Sequence, residues 1–226
     1  MNSRSNILNR IRKALRAPAP RPPEPHAGEV FSPIPDSEVV ARFKRELLDL
    51  KGEFHQASDW ADAQRWVGEL VRRNQIHSVA VMPHDDAREI ARSLHPPAQG
   101  DFALHVRVLD GSEDCGHRLA HVDLGVTVCD CLIACTGSVA LTTRTGFGRA
   151  LSVLPPAHLV VARRSQLVPH PADAYRLLHS RYGASVDGWP SMMTLITGPS
   201  RTADIEKILV LGAHGPKKLF VLLLDF

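Results

Sequence analysis

Strand-sized apolar runs alternate with stretches of helical periodicity along most of this chain, and that alternation restricts the fold more than any other feature. Asp36 or Ser37 is placed to cap a helix that carries Val39, Val40, Phe43, Leu47 and Leu48 on one side and ends near Gly52. A short strand at Glu53–Gln56 follows, then a helix from Asp59 to Arg73 with Trp60, Ala63, Trp66, Val67 and Leu70 as its apolar stripe. Ser78–Met82 reads as a strand, Asp85 to Leu94 as a helix stopped by Pro96 and Pro97, and Leu104–Leu109 as another strand. The second half is denser in strands: Cys131–Ala134, Ser138–Thr142, His158–Ala162, Met192–Thr197 and Leu219–Leu224, with a helix at Ala172–Tyr182. Leu219–Leu224 is apolar at every position, as a strand buried on both faces must be. The expected architecture is an open, mostly parallel α/β sheet with flanking helices, preceded by an N-terminal helical arm.

The 226 residues, 44% of them apolar, suffice for one sizeable core. Two parts are expected: an amphipathic helix with a proline-rich linker over 1–35, and one α/β domain over 36–226. No run approaches the roughly 20 apolar residues a membrane helix needs, so no integral membrane segment is expected. The basic start has no apolar region behind it and does not read as a secretory signal. Three of the four cysteines crowd into Cys129, Cys131 and Cys135, poor spacing for a disulfide framework, and a cytoplasmic location is expected.

The charge is unevenly divided. Six of the 27 Lys and Arg residues stand in the first 21 positions without an acidic residue, which leaves 21 basic against 24 acidic residues in the remainder. A folded face for nucleic acid is therefore not expected. Within Ser5 to Arg16, Ile7, Leu8, Ile11 and Leu15 recur at helical spacing opposite Arg10, Arg12, Lys13 and Arg16. This suits a surface helix of its own domain, a docking arm for an acidic partner subunit, or a helix lying on a membrane surface. The seven prolines from Pro18 to Pro35 then impose a linker or an extended wrap.

Thr197-Gly198-Pro199-Ser200-Arg201-Thr202-Ala203-Asp204 carries the strongest local chemistry, because ligands of open α/β sheets bind beyond strand ends. Gly198 permits close backbone approach, Ser200 and Thr202 offer hydroxyls, and Arg201 offers a planar fork for carboxylate or phosphate. A helical turn from Thr202 would add free amides; a capped turn that satisfies its own backbone is the plainer alternative. Thr136-Gly137-Ser138 either binds a ligand or merely closes the bend between two strands. Arg144, Gly146, Gly148 and Arg149 form a basic, glycine-containing loop suited to closing over an anion, and His158 stands at a strand mouth where a base or a structural histidine would sit. Cys129, Cys131 and Cys135 would share one face of a continuous strand, but C-x-C-x-x-x-C matches neither ferredoxin nor zinc-ribbon spacing, and core packing is the better reading. His117 and His121, spaced i, i+4, read as surface histidines. No metal site is expected, and neither a G-x-G-x-x-G turn nor a P-loop is present.

Thr197 to Lys207 followed by Leu209-Val210-Leu211-Gly212-Ala213-His214-Gly215-Pro216 resembles the C-terminal signature of the lactate utilization protein C family, which carries a LUD domain. The likeness extends through Thr136-Gly137-Ser138, Arg149-Ala150-Leu151-Ser152 and Leu154 to Val161, and the opening basic helix with its proline-rich link is similar too. The resemblance implies the fold of glucosamine-phosphate deaminases, ribose-phosphate isomerases and CoA transferases. It implies a subunit of an iron–sulfur system oxidising L-lactate to pyruvate, binding a small carboxylate or assisting assembly, with no cofactor of its own and the clusters in partner subunits. The ligand-binding candidates are then Thr136, Gly137, Ser138, Arg149, His158, Gly198, Ser200, Arg201, Thr202, Asp204 and His214. One departure stands out: Cys135 occupies the place of an acidic residue that the family has before its Thr-Gly turn. The alternative function is a free-standing isomerase- or CoA-transferase-like enzyme acting on a phosphorylated or CoA-linked small molecule.

Overall fold

The computed structural model describes residues 3–16, 32–94, 104–109, 119, 121–144, 150–183, 188–203, 209–212 and 214–226. The chain divides into two units, Met1–Ser32 and Pro33–Phe226. In the first, helix α1 (Ser3–Leu15) leaves Ile7, Leu8, Ile11 and Leu15 exposed. No helix among the described residues is long and apolar enough to cross a membrane.

The second unit is built on a six-stranded parallel sheet. Its strands are β1 (Glu53–Ala57), β2 (Ser78–Val81), β3 (His105–Val108), β4 (Leu124–Val128), β7 (Ala157–Arg163) and β12 (Lys218–Leu224), in the order β1-β12-β7-β4-β2-β3. Period-two alternation assigns its faces. Leu159 and Val161 of β7, with Phe220, Leu222 and Leu224 of β12, meet helices α3 (Trp60–Arg73) and α4 (Asp85–Ser93) through Val67, Leu70, Ala87 and Ile90. The intervening residues Val160, Ala162, Leu219, Val221 and Leu223 meet helix α2 (Val39–Asp49) through Val39, Phe43 and Leu47.

On that second face lies a four-stranded sheet, β8-β5-β6-β9, made of β5 (Cys131–Ile133), β6 (Ser138–Thr142), β8 (Leu167–Val168) and β9 (Met193–Ile196). β5 and β6 form an antiparallel hairpin across a 3-10 turn, Ala134–Thr136, closed by Gly137 at φ 61°. A further hairpin pairs β10 (Arg201–Ala203) with β11 (Leu209–Leu211). Helix α5 (Ala150–Val153) leads into β7, and helix α6 (Pro171–Tyr182) follows β8.

Several expectations are corrected. The α2 N-cap is Glu38, in helical geometry and without a side-chain cap, rather than Asp36 or Ser37. The Glu38 amide donates to the Pro35 carbonyl, so a tight turn after the proline feeds the helix directly. Thr202 starts no helical turn; it pairs with Val210 in the middle of β10. The cysteines do not share a face of one strand, because the chain breaks between β4 and β5. Cys129 packs with Phe43 and Val160, whereas Cys131 packs with Ala140 and Ala174, and Cys135 lies in the 3-10 turn. Cys129 and Cys131 are buried core residues, as the apolar setting of Leu132 and Ile133 suggests.

Candidate functional site

After β2 the chain turns outward to α4 and β3, whereas after β4 it turns the other way, toward β5 and eventually β7. Neighbouring parallel strands whose continuations diverge leave a crevice at their carboxyl ends, where open α/β sheets bind ligands. A cleft of about 400 Å3 lies at that point. Met82, Pro83 and His84 enter it from the end of β2, Val128 and Cys129 from the end of β4, Gln166 from the turn after β7, and Arg144 and Arg181 from beyond β6 and from α6.

Asp130 organises this end of the sheet. It is fully buried, and its carboxylate accepts from the Thr142 amide at 2.8 Å, the Tyr182 hydroxyl at 2.8 Å and the Arg181 guanidinium at 3.0 Å. Gln166 Nε2 donates to the Cys129 carbonyl at 2.5 Å, which ties the turn after β7 to the end of β4. Beside the cleft, Arg163 binds the buried Asp86 in a fork, with Nε to Oδ2 at 2.8 Å and a second N–H to Oδ1 at 2.5 Å. That hydrogen bond raises the Arg163 pKa. His84 accepts the Asp86 amide on Nδ1 at 3.2 Å and so caps α4. Burial pushes the thiol of Cys129 well up, and that of Cys131 up to about 12, so both stay protonated and are weak nucleophiles and metal ligands. Among the described residues that line the cleft, Arg144 alone carries a positive charge that no carboxylate answers.

An Asp130→Ala substitution strips three donors of their acceptor. The expected cost is about 3 kcal/mol of unfolding free energy, measurable by urea titration. A loss under about 1 kcal/mol would mean that the network does not hold the cleft.

The glycine- and hydroxyl-rich motifs gather at the opposite, amino end of the sheet. The antiparallel pairing of β6 and β9 brings Ser138 to Thr197, and their hydroxyls share a 2.8 Å hydrogen bond. Gly137 backs onto α2, and Gly198, at φ 84°, backs onto Leu50. Thr136 Oγ1 is buried without a hydrogen-bond partner. The Ser200 amide donates to the Pro216 carbonyl at 2.8 Å, and the Ser200 carbonyl accepts from Gly212 at 3.0 Å. The backbone of this corner is thus engaged in its own turns. Arg201 is exposed, with a guanidinium nitrogen 3.7 Å from where a Gly198 Cβ would stand, and His214 is exposed. Thr202 has its backbone in β10. Arg149 and Asp204 lie outside the described residues, as do Gly146, Gly148 and His117.

His158 is enclosed. It is 0% exposed near the amino end of β7, its Nε2 shares a 2.8 Å hydrogen bond with Thr127 Oγ1, and Nδ1 has no partner. Burial lowers its pKa to about 3, so the ring is neutral at physiological pH. His121 is exposed. Among the described residues no group of three His, Cys, Asp or Glu side chains is placed to hold a metal ion.

Of the cleft residues, the sequence pointed to Arg144 through its basic, glycine-containing loop. It did not point to His84, Gln166 or Arg181, nor to the buried Asp130 that holds Arg181. Their shared signal is position, since His84, Asp130 and Gln166 each follow a central parallel strand within three residues of its end. That signal exists only once β4 is recognised as a strand.

Residues 40–224 match the family model described as the LUD domain. A relative from Bacillus mycoides, named lactate utilization protein C 1, is 35% identical over 199 residues, covering 87% of this chain and 83% of that protein. One from Halalkalibacterium halodurans, named lactate utilization protein C, is 40% identical over 115 residues; that alignment spans 49% of each protein, so this chain matches about half of that relative's length. The crystal structure of a DUF162 family protein from Deinococcus radiodurans is similar with a TM-score of 0.54 at 21% identity, covering 85% of this chain and 99% of that one. At that identity the likeness extends to the fold alone.

Proposed function

Because the chain belongs to the LUD domain family, we propose that it works in lactate utilization as a carboxylate-binding component of a cytoplasmic L-lactate-oxidising system whose iron–sulfur clusters reside in partner subunits. The observation that carries this reading is the Arg144 guanidinium, unanswered by any described carboxylate, in a cleft at the switch point of a parallel sheet. A guanidinium is a planar fork that matches a carboxylate, and the exposed Arg144 side chain offers that fork at the rim of the cleft. The names of the relatives supply the metabolic setting. The buried, protonated thiols of Cys129 and Cys131 suit packing better than cluster ligation, which favours leaving the clusters to partners.

This reading moves the expected grip from the Ser200–Arg201 corner, whose Ser200 amide is already bonded to Pro216, to the opposite end of the sheet. In calorimetric titration, L-lactate or pyruvate is expected to bind the wild type, and Arg144→Gln to weaken binding by roughly 30-fold, the loss of one charge-assisted hydrogen bond. Unchanged affinity in Arg144→Gln would reject the placement. Deletion of the gene should abolish growth on lactate, and the tagged protein should bring down an iron–sulfur protein. A thermal-shift panel tests the alternative: stabilisation by sugar phosphates or CoA, with none by lactate or pyruvate, would favour an isomerase- or CoA-transferase-like enzyme.

A further inference from the structure

Helix α1 takes no part in the chemistry of the cleft. None of its residues is buried, and Ile7, Leu8, Ile11 and Leu15 are 58, 39, 50 and 75% exposed. At about 100° per residue these four fall within one arc of roughly 100°, a continuous apolar stripe along the helix. Arg10 borders the stripe on one side and Arg12 on the other, while Lys13 and Arg16 lie behind it. Arg4, one turn before Leu8, continues the line of the stripe with a long apolar stem.

A stripe of large apolar side chains left in water is stabilised by whatever covers it. The charge indicates which cover fits. The first 21 positions hold six basic residues and no acidic one, so the helix cannot balance its own charge. Positions 22–226 hold 21 basic against 24 acidic residues, so a second copy offers no matching excess of negative charge. A groove in a protein would enclose the stripe and its two borders and leave Lys13 and Arg16 in water on the far side. The field of an anionic lipid surface reaches about a Debye length, ~8 Å at physiological salt. That is comparable to the helix diameter of roughly 10 Å, so every cation around the helix contributes. An apolar stripe bordered and backed by arginine and lysine is the pattern of a helix lying in a membrane interface.

We infer that α1 is a lipid-docking helix. It lies along an anionic membrane surface with Ile7, Leu8, Ile11 and Leu15 toward the acyl chains and Arg10 and Arg12 at the phosphates. The proline-rich sequence from Pro18 to Pro35 joins it to the domain. One such helix holds the protein at the membrane reversibly.

Co-sedimentation of the full chain with lipid vesicles tests this. Phosphatidylcholine vesicles containing about one-third phosphatidylglycerol should bind it about 30-fold or more tightly than phosphatidylcholine alone, at roughly fivefold per basic residue near the surface. Arg12→Gln with Lys13→Gln should weaken that binding about 30-fold. Ile7→Ser with Ile11→Ser leaves the charge unchanged and should weaken it by a similar factor, about 30-fold. These four residues are exposed, so the melting temperature of the α/β domain should stay as in the wild type. Wild-type protein that binds neither kind of vesicle would overturn the inference and return the helix to an acidic protein partner. Equal binding to both kinds, or anionic binding undiminished by the isoleucine pair, would overturn it too.

Discussion

Between pH 6.5, the ordinary histidine value, and pH 4, the wild-type protein will lose about 1.4 kcal/mol of stability per pH unit that a His158→Phe variant keeps. The imidazole is completely buried, its one hydrogen bond is to a hydroxyl, and burial lowers its pKa to about 3. In the unfolded chain the same group titrates near 6.5. Between these values the unfolded state binds a proton that the folded state refuses, so stability falls as pH falls. Above 6.5 neither state is protonated and the linkage vanishes; near pH 3 it saturates. Phenylalanine fills similar space and cannot titrate. The variant starts less stable, because Thr127 loses its partner, but the gap to wild type should narrow by roughly 3 kcal/mol on going from pH 7 to pH 4. Urea denaturation of both proteins at pH 7, 6, 5 and 4 measures it. Parallel curves would mean that His158 is solvated, and would restore it as a candidate base.

Gly137→Val is expected to cost about 4 kcal/mol or more, close to unfolding for a marginally stable domain. Gly137 has φ 61° and ψ 26°, a left-handed conformation that strains a β-branched residue. Space is a second obstacle. A Cβ there would stand 2.5 Å from the Leu47 amide nitrogen and 2.7 Å from the Glu46 carbonyl carbon. Both atoms are backbone of α2, so no side chain can swing aside, and the helix itself must move. Leu47 anchors that helix in the core between the sheets, so the displacement reaches Phe43 and Leu132. A fall in melting temperature of roughly 10 °C is expected; a fall under about 3 °C would show that α2 yields easily at this contact.

Long apolar elements were legible because their pattern is local. β6 has the bounds Ser138–Thr142 that its alternation suggests, and β7 and β12 extend one or two residues beyond the runs that mark them. α3 begins after Asp59, whose side chain accepts the Asp62 amide at 2.7 Å. β4 was not legible. Leu124 to Ala134 is one nearly unbroken apolar stretch, and its division depends on Asp130 being drawn inward by Arg181 and Tyr182, about fifty residues downstream. A carboxylate in an apolar run has no local sign that its partners lie on a later helix. The second sheet was hidden for a related reason: β8 has only two residues, Leu167–Val168, and gains strand character from pairing with β5.

The site follows the same logic. Glycine and hydroxyl motifs announce themselves in sequence, but that Thr136–Ser138 meets Thr197–Gly198 follows only from the pairing of β6 with β9. The cleft is assembled instead from five separate segments, through residues such as His84, Cys129, Arg144, Gln166 and Arg181. Arg144 and Cys129 stand in stretches that the sequence marks, but only the order of strands in the sheet makes these residues adjacent.

The most direct test is a crystal structure of the protein soaked with L-lactate. Density for the carboxylate against the Arg144 guanidinium is expected. A lactate bound instead between Ser200 and Arg201 at the amino end of the sheet, with the cleft at the ends of β2 and β4 holding only water, would contradict it.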